Sequence, residues 1–368
     1  MRVPAAASAL LCALACIPAS FAAVPAPVDL LARARGAELA GKTAEAEQDA
    51  TRVVVESPGS DAAVGAAALL GRLRLREGDF GEAAWWLTRA GAGGARDVLP
   101  LRALAVRGLL RAQGMGGGWS APQEVAATEI KRAAALVRLP SGTRALLDGR
   151  AATLISFASD GRRLPTEIGE VQAVAARLDG KLVVAAGEQL FLLDPERPDP
   201  PAPLGSLGKF APVAALAVDA AGDVWVVDKK GSRLGRLTAG APEPVQVIES
   251  KGMRVEALAP LPPGRGVVLL DTRAGTLLSV DPSGTLRPMA ALPWGERGRP
   301  VALATDPAGQ VAVLDEKSGE VVLLDGEGVL RDRLPAPASD RDASVAIALG
   351  ADGSLDLVTG DGRLRRVP

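Results

Sequence analysis

The sequence contains no histidine and no tyrosine, and it also contains no asparagine. Histidine is the side chain whose charge changes near neutral pH and the commonest protein ligand for metal ions. Its absence excludes catalytic triads and every metal site that needs an imidazole. Any acid-base chemistry would have to use Asp, Glu, Lys or Arg.

Long apolar runs are also missing, because no stretch approaches the roughly 20 apolar residues that a membrane helix needs. The only two cysteines, Cys12 and Cys16, lie near the amino terminus. Arg2 is followed by a short apolar stretch and then by small residues around Ala22, a pattern typical of a signal peptide. We therefore predict that residues 1–22 are removed and that the mature protein is periplasmic or extracellular, without a thiol.

A lipid anchor at Cys16 is an alternative, since the run before this cysteine resembles a lipoprotein signal. The third position before the cysteine is Ala13, where that pattern has leucine. An anchor would attach the protein to a membrane surface without a span.

Basic and acidic residues nearly balance each other, with 42 basic and 43 acidic residues and a net charge of -1. Nucleic-acid binding normally requires a basic surface, so we predict no nucleic-acid partner. The length of 368 residues is typical of two domains.

The first half has apolar residues at helical spacing from Val28 to Gln113. Residues 69–90 resemble a tetratricopeptide repeat (TPR), with Gly78 at the turn and Ala83 in the second helix. An upstream copy has Gly41 and Ala46 at the same positions, 37 residues earlier. A further helix at residues 101–113 is predicted to cap this array.

One phosphate-loop motif occurs here, GAELAGKT at residues 36–43. A true phosphate loop follows a buried strand and opens a helix. The preceding LLARAR is helical in pattern, so we interpret the match as a turn between helices.

The second half repeats a glycine followed by an apolar run, and the spacings are 38, 42, 44, 43 and 44 residues. The six glycines are Gly142, Gly180, Gly222, Gly266, Gly309 and Gly353. A period of about 43 residues with several short strands is typical of a β-propeller blade. Six periods predict six blades.

Residues 212–237 and 300–324 resemble blades of the NHL class, with a Pro, an Asp-x-x-Gly turn and a closing Asp. The last repeat has only three strands, and residues 122–130 are predicted to supply the fourth and close the ring. A short helix is the alternative for that segment. The predicted fold class is thus a short TPR-like helical array followed by a six-bladed propeller. We place the array at 27–114, a Gly-rich linker at 115–121 and the propeller at 122–368.

Several enzyme families use six-bladed propellers. Streptogramin lyases, α-amidating lyases and paraoxonase-like lactonases use histidine, and gluconolactonase-like propellers bind metal partly through asparagine, so none of these sites transfers to this chain. We interpret the recurring aspartates as acceptors of turn hydrogen bonds. They are Asp148, Asp228, Asp271 and Asp315. We predict no catalytic residue, metal or cofactor.

Two surfaces are candidates for binding a protein or peptide. The concave side of the array is predicted to bind an acidic or carboxylate-ended peptide, through Arg35, Arg72, Arg76 and Arg111. Local pairing with Glu38 and Glu77 is the alternative. The candidates on the propeller are Lys229, Lys230, Arg273, Trp294 and Arg297. Trp294 would be an interface anchor or, alternatively, a blade-packing residue.

These observations together favour an exported, non-enzymatic interaction protein that acts as an adaptor in the cell envelope. One alternative is a propeller hydrolase or lyase, lactonase-like, with a site that lacks histidine. A small-ligand-binding propeller is the other alternative.

Overall fold

A computed structural model describes residues 25–368 apart from 129, 131, 166–167, 198, 250–251 and 337–343. The predicted signal peptide, with Cys12 and Cys16, lies outside these residues. Five α-helices are followed by six four-stranded sheets, which confirms the predicted fold class. The helices are α1 (Pro27–Leu39), α2 (Thr43–Glu56), α3 (Asp61–Arg76), α4 (Phe80–Ala92) and α5 (Leu99–Ala112).

The helices form two antiparallel hairpins and a fifth helix. Ser60 and Asp79 cap α3 and α4, because their side chains accept hydrogen bonds from the backbone N–H groups of the first turns. Gly41 and Gly78 end the first helix of each hairpin with φ of +73° and +76°. These angles favour glycine. The phosphate-loop match at 36–43 is therefore the end of α1 and a turn, as interpreted from the sequence.

Each sheet is one antiparallel blade, and in blades 1 to 5 the four strands follow the chain from the inside outward. Blade 1 contains β2 (Ala133–Arg138), β3 (Arg144–Asp148), β4 (Thr153–Phe157) and β5 (Arg163–Leu164). Blade 2 contains β6 (Val171–Ala176), β7 (Leu182–Ala186), β8 (Gln189–Leu193) and β9 (Ala202–Ser206). Blade 3 contains β10 (Val213–Val218), β11 (Val224–Asp228), β12 (Arg233–Leu237) and β13 (Val245–Glu249).

Blade 4 contains β14 (Val255–Pro260), β15 (Val267–Asp271), β16 (Thr276–Val280) and β17 (Leu286–Ala291). Blade 5 contains β18 (Pro300–Thr305), β19 (Val311–Asp315), β20 (Val321–Leu324) and β21 (Leu330–Leu334). Blade 6 contains β22 (Ser344–Leu349), β23 (Leu355–Thr359), β24 (Arg363–Val367) and, as its outer strand, β1 (Gln123–Ala127).

The ring closes where β1 pairs antiparallel with β24, with Gln123 opposite Arg366 and Ala127 opposite Arg363. This confirms the predicted closure by residues 122–130, and the alternative of a short helix is wrong. Joining the two ends of the propeller sequence in one sheet pairs an edge that would otherwise be free.

The inner strands pack by alternating small and large residues. The third residue of every inner strand is alanine: Ala135, Ala173, Ala215, Ala257, Ala302 and Ala346. The fourth is a larger aliphatic residue: Leu136, Val174, Leu216, Leu258, Leu303 and Ile347. Ala173 shares a core cluster with Leu216 of the next blade, and Ala215 shares one with Leu258. Small residues of one blade thus receive the large side chain of the next, which fills the space around the channel.

The helical array lies on the lower face of the propeller, defined here by the turns between the first two strands of each blade. A β-carbon built at Gly264 would lie 2.3 Å from Cα of Gly41, so the α1–α2 turn touches blade 4 directly. Ala308 of blade 5 belongs to the helical core cluster. The Trp119 Nε1–H group donates to the carbonyl oxygen of Gly353 in blade 6 at 3.2 Å. The opposite, upper face carries the starts of the inner strands.

Candidate functional site

The upper mouth of the central channel is surrounded by the second residue of each inner strand. Each strand has a register shift between its first and third residues, so the second residue bulges from the pairing. All six are exposed or half-buried, although a blade flanks them on either side. Ala214, Val301 and Val345 pack partly against the core clusters between their own blade and the next, and the remaining surface of the six residues is exposed at the inner edge of the upper face. We call this set the mouth ring: Ala134, Gln172, Ala214, Glu256, Val301 and Val345.

Glu256 is the one ionisable member of the mouth ring. Its Oε1 lies 2.8 Å from Nε of Arg254, which occupies the rim two residues earlier. Gln172, the other polar member, is already engaged, because its Nε2 donates to the carbonyl oxygen of Gly187 and its Oε1 accepts from the N–H of Val213. Four apolar side chains complete the ring. The arrangement places one carboxylate in an otherwise apolar opening.

Glu256 is not among the residues predicted from the sequence. Counting back eight residues from the repeat glycine reaches this position in the other five blades, but in blade 4 it reaches Leu258, because the turn before Gly266 is two residues longer. Only an alignment of blade 4 on Gly264 places Glu256 in the column otherwise occupied by Ala, Val and Gln.

The mouth ring does not fit a metal ion. Hard cations such as Ca²⁺ take six to eight oxygen ligands, and this ring offers one carboxylate beside an amide that is hydrogen-bonded to backbone. Within the described part of the chain, no group of three or more acidic residues is placed to hold a metal. The chemistry that these side chains can support is proton transfer by Glu256 next to a cation.

The rim around the mouth is mixed in charge. Arg299 pairs with Glu316, with Nη1 and Oε2 3.0 Å apart, and both side chains are exposed. Arg132 and Glu170 are also exposed at the starts of their inner strands. A rim with both signs offers no strong attraction to a polyanion.

Two of the predicted arginines on the array meet the same carboxylate. Arg72 and Arg76 each donate an Nη2–H to Glu38, at 2.7 Å, and Glu38 is only 6% exposed. Burial favours the neutral acid, but the hydrogen bonds and charges of Arg72 and Arg76 outweigh it and lower the pKa of Glu38. The pairing with Glu38 that was the alternative for Arg72 and Arg76 is therefore present.

The other two predicted arginines differ in their surroundings. Arg111 on α5 donates to Oδ2 of Asp332 in blade 5 at 3.0 Å, so it joins the array to the propeller. Arg35 is exposed. Binding of a carboxylate-ended peptide to these arginines stays a prediction.

The predicted propeller residues lie in loops of the upper face, and the turn that carries Arg273 contacts the segment of Trp294 and Arg297, since a β-carbon at Gly275 would lie 3.4 Å from the carbonyl oxygen of Gly295. Lys229 and Lys230 are exposed in blade 3, Arg273 in blade 4 and Arg297 in the segment that joins blades 4 and 5. Trp294 is half-buried, packs against the core between blades 4 and 5, and donates its Nε1–H to Oε2 of Glu320 at 2.6 Å. Its contacts are those of the blade-packing alternative.

The recurring aspartates accept hydrogen bonds from turn backbone, as interpreted from the sequence. Oδ1 of Asp228 accepts from the N–H groups of Ser232 and Arg233, and Oδ1 of Asp148 accepts from that of Arg150. Asp271 and Asp315 accept from the backbone of the neighbouring turns in the same way.

A separate cavity of about 340 Å³ lies on the lower face between the end of α1 and the turns of blades 3 and 4. Its polar groups are satisfied, since Asp219 accepts from Trp225 and Arg236 is paired with Asp223. These two charged groups of the cavity are therefore already engaged within the protein.

The architecture is that of a six-bladed β-propeller with a helical array at one face. No protein-family model matches the chain, and no curated protein matches it. Solved structures do match, each over 67% of this chain. Regucalcin from Agrobacterium tumefaciens, described as a calcium-binding protein, is 16% identical with a TM-score of 0.54 over 93% of its chain. A luciferin-regenerating enzyme is 14% identical with a TM-score of 0.53 over 94% of its chain. Virginiamycin B lyase from Staphylococcus aureus is 10% identical with a TM-score of 0.50 over 98% of its chain.

At these identities the likeness shows a shared fold. The prediction of a non-enzymatic adaptor is nevertheless contradicted, because the propellers that this chain resembles include a lyase and a luciferin-regenerating enzyme. Tandem repeats and the missing histidine suggested a binding scaffold, but neither feature excludes an enzyme that uses a carboxylate. No helix among the described residues is both long and apolar enough to cross a membrane.

Proposed function

We propose that the propeller binds a small molecule at its upper mouth and acts on it as a hydrolase or lyase with a histidine-free site. The observation that carries this proposal is the position of Glu256, the one ionisable side chain in a ring of six equivalent positions. A lone carboxylate in a structural ring has no packing purpose, since Ala or Val fills the same position in four other blades.

Glu256 would act as the general base. In a hydrolysis it would take the proton from a water molecule that attacks a carbonyl carbon of the substrate. In an elimination it would take the proton from a carbon next to the bond that breaks. Positioned proton transfer of this kind contributes about 10²–10⁴ in rate. Arg254, whose Nε lies 2.8 Å from Oε1, would orient the carboxylate.

The apolar members of the ring would hold the carbon skeleton of the substrate. Ala134, in the blade opposite Glu256, and Ala214 leave room at the mouth, whereas Val301 in the next blade and Val345 supply apolar surface. A neutral lactone or ester fits such an opening better than a highly charged molecule, because the walls offer no partner for extra charge.

The test is a turnover screen of the purified chain on a panel of alkyl esters, γ-lactones and δ-lactones. The rate of hydrolysis is measured from the protons released at constant pH. We expect slow hydrolysis of at least one member and a loss of about 10²-fold or more in Glu256→Gln. Glu249→Gln is the matched control, because Glu249 is an exposed carboxylate on the outer strand of blade 3. Equal activity of the Glu256→Gln and Glu249→Gln variants would refute the role of Glu256.

We also infer that the helical hairpins are TPR-like and that the blades are NHL-like. Gly41 and Gly78 at equivalent turns, each followed by a buried alanine, support the first inference. The Asp-x-x-Gly turns of blades 3 and 5 support the second. The domain limits at 27–114, 115–121 and 122–368, and export to the periplasm or beyond, are part of the same proposal.

A further inference from the structure

Asp306 occupies the turn between the first two strands of blade 5, where it is only 6% exposed. Its Oδ1 accepts hydrogen bonds from the backbone N–H groups of Ala308 and Gln310, at 2.9 Å and 3.0 Å. Its Oδ2 is fully buried and has no hydrogen-bond partner among the described residues. A buried carboxylate oxygen without a partner is rare, because an ionised group loses its hydration and gains nothing in return.

Blade 3 shows how the same turn is satisfied elsewhere. Asp219 also uses Oδ1 to accept from its own turn, and its Oδ2 accepts the Nε1–H of Trp225 at 2.9 Å. The residue at the position of Trp225 in blade 5 is Ala312, which has no side-chain donor. The sequence of blade 5 therefore keeps the aspartate and omits its partner.

The helical array is what buries this turn. Ala308 packs in the helical core cluster with Leu104 and Ala105 of α5. Arg111 of the same helix is the charged group that acts on Asp306, but its hydrogen bond goes to Asp332 of β21. Asp306 is thus sealed beneath α5 without an ion pair of its own.

The other charged groups at the contact between α5 and the propeller are already paired or lie further along this contact. Arg107, one turn before Arg111, is near Asp352 of blade 6 and Asp332. Asp352 itself pairs with Arg366 and Arg138. Burial beneath α5 raises the pKa of Asp306 to about 7, although its turn hydrogen bonds and Arg111 act in the opposite direction.

We propose that Asp306 is a proton-controlled latch between the helical array and the propeller. The array docks firmly on the lower face when Asp306 is a neutral acid, and the docking weakens as the pH rises through neutrality. Undocking would return the carboxylate to water. The latch is independent of Glu256, which lies at the upper face.

The direction follows from the raised pKa of Asp306 in the docked state. The stabilisation that protonated Asp306 provides is complete below the unfolded-state pKa of 3.8 and is lost as the pH rises through about 7. An ion pair between ionised Asp306 and Arg111 would give the opposite dependence. The sign of the pH effect therefore separates the two arrangements.

The test is hydrogen–deuterium exchange of the full chain at pH 5.5 and pH 8.5, corrected for the pH dependence of intrinsic exchange. We expect protection of the α5 backbone to fall about tenfold or more between the two pH values, since one unit of pKa shift corresponds to a factor of ten. Protection of β19, in the centre of blade 5, should stay unchanged and serves as the internal reference for folding.

Asp306→Asn keeps an oxygen that accepts from Ala308 and Gln310 and carries no titratable group. We expect its α5 protection to be the same at both pH values. Asp160→Asn, in an exposed turn of blade 1, should behave as wild type. The latch would be refuted if wild-type α5 protection were constant or higher at pH 8.5, or if Asp306→Asn kept the wild-type pH dependence.

Discussion

The guanidinium of Arg144 and the carboxylate of Asp356 form a buried ion pair across the seam between the first and last blades, with Nε 2.8 Å from Oδ2. Arg144 lies at the start of β3 and Asp356 in β23, and their side chains are 2% and 0% exposed. Arg138 adds a longer contact to the same carboxylate at 3.5 Å. The two ends of the propeller sequence are therefore joined by buried charge as well as by strand pairing.

Removing one member of this pair should destabilise the ring strongly. Arg144→Met leaves buried Asp356 with the longer contact to Arg138, and breaking a buried pair costs about 3–5 kcal/mol. The measurement is the free energy of unfolding in urea. The double variant Arg144→Met/Asp356→Leu should recover much of the loss, because no charge is then left unpaired. A loss below about 1 kcal/mol in Arg144→Met, the range of an exposed pair, would contradict this reading.

Gly235 in β12 is predicted to reject even a methyl group. A β-carbon at this position would lie 2.5 Å from Cζ of the fully buried Phe210. Gly→Ala in a strand normally stabilises by reducing the entropy of the unfolded chain, whereas overpacking costs about 1–3 kcal/mol. We expect Gly235→Ala to lower the midpoint of thermal unfolding.

Two further variants check the cause of that loss. Phe210→Leu should make the Gly235→Ala substitution less costly, because the ring that the methyl group meets is gone. Gly205→Ala in β9 is the control, since its β-carbon would lie 3.2 Å from Leu237 Cδ2 and the neighbour can adjust. Equal effects of Gly235→Ala and Gly205→Ala would rule out the clash with Phe210.

The propeller could be predicted from the sequence because the same turn in every repeat requires a glycine. All six repeat glycines have positive φ in the structure, from +74° to +90°, so other residues are disfavoured there. The closing strand could be predicted for a similar reason, since the last repeat lacked one strand. Local requirements of this kind leave a regular trace in the sequence.

The docking of the helical array on the propeller and the position of the candidate site could not be predicted from a repeated sequence pattern. The contact of Gly41 with Gly264 depends on the shapes of two modules separated by more than 200 residues, and no spacing encodes it. The pairing of Arg72 and Arg76 with Glu38 was considered only as an alternative, because helical spacing shows which residues share a face but not which partner neutralises them. Glu256 could be recognised as a candidate only from the structure, in which the bulge places the second residue of each inner strand at the mouth.

The hydrogen bond from Trp225 to Asp219 predicts the effect of leaving that carboxylate oxygen unpaired. Trp225→Phe keeps an aromatic ring in the core and removes the Nε1–H donor, which gives blade 3 the same deficit as blade 5. An unsatisfied buried acceptor costs about 1–3 kcal/mol. We expect Trp225→Phe to lose this amount in urea unfolding, and Trp225→Phe/Asp219→Ala to lose little more than Asp219→Ala alone. Additive losses would show that the two side chains act independently.

The shared contact of Arg72 and Arg76 with Glu38 predicts how the helical array responds to acid. The lowered pKa of Glu38 in the folded state stabilises the array above the unfolded-state value of 4.5, and this stabilisation is lost as the pH falls through the lower, folded-state pKa. The stability of Glu38→Gln should therefore depend less on acid and be lower at pH 7 by about 1–3 kcal/mol, because two half-buried cations lose their anion. Helical circular dichroism during urea unfolding at pH 3.5 and pH 7 measures both effects.

Glu56→Gln is the control, since Glu56 forms an exposed pair with Arg52 and such pairs contribute about 0–1 kcal/mol. If Glu38→Gln kept the wild-type stability at pH 7, Arg72 and Arg76 would be solvated cations, and the carboxylate that they hold in this structure would contribute nothing to the fold.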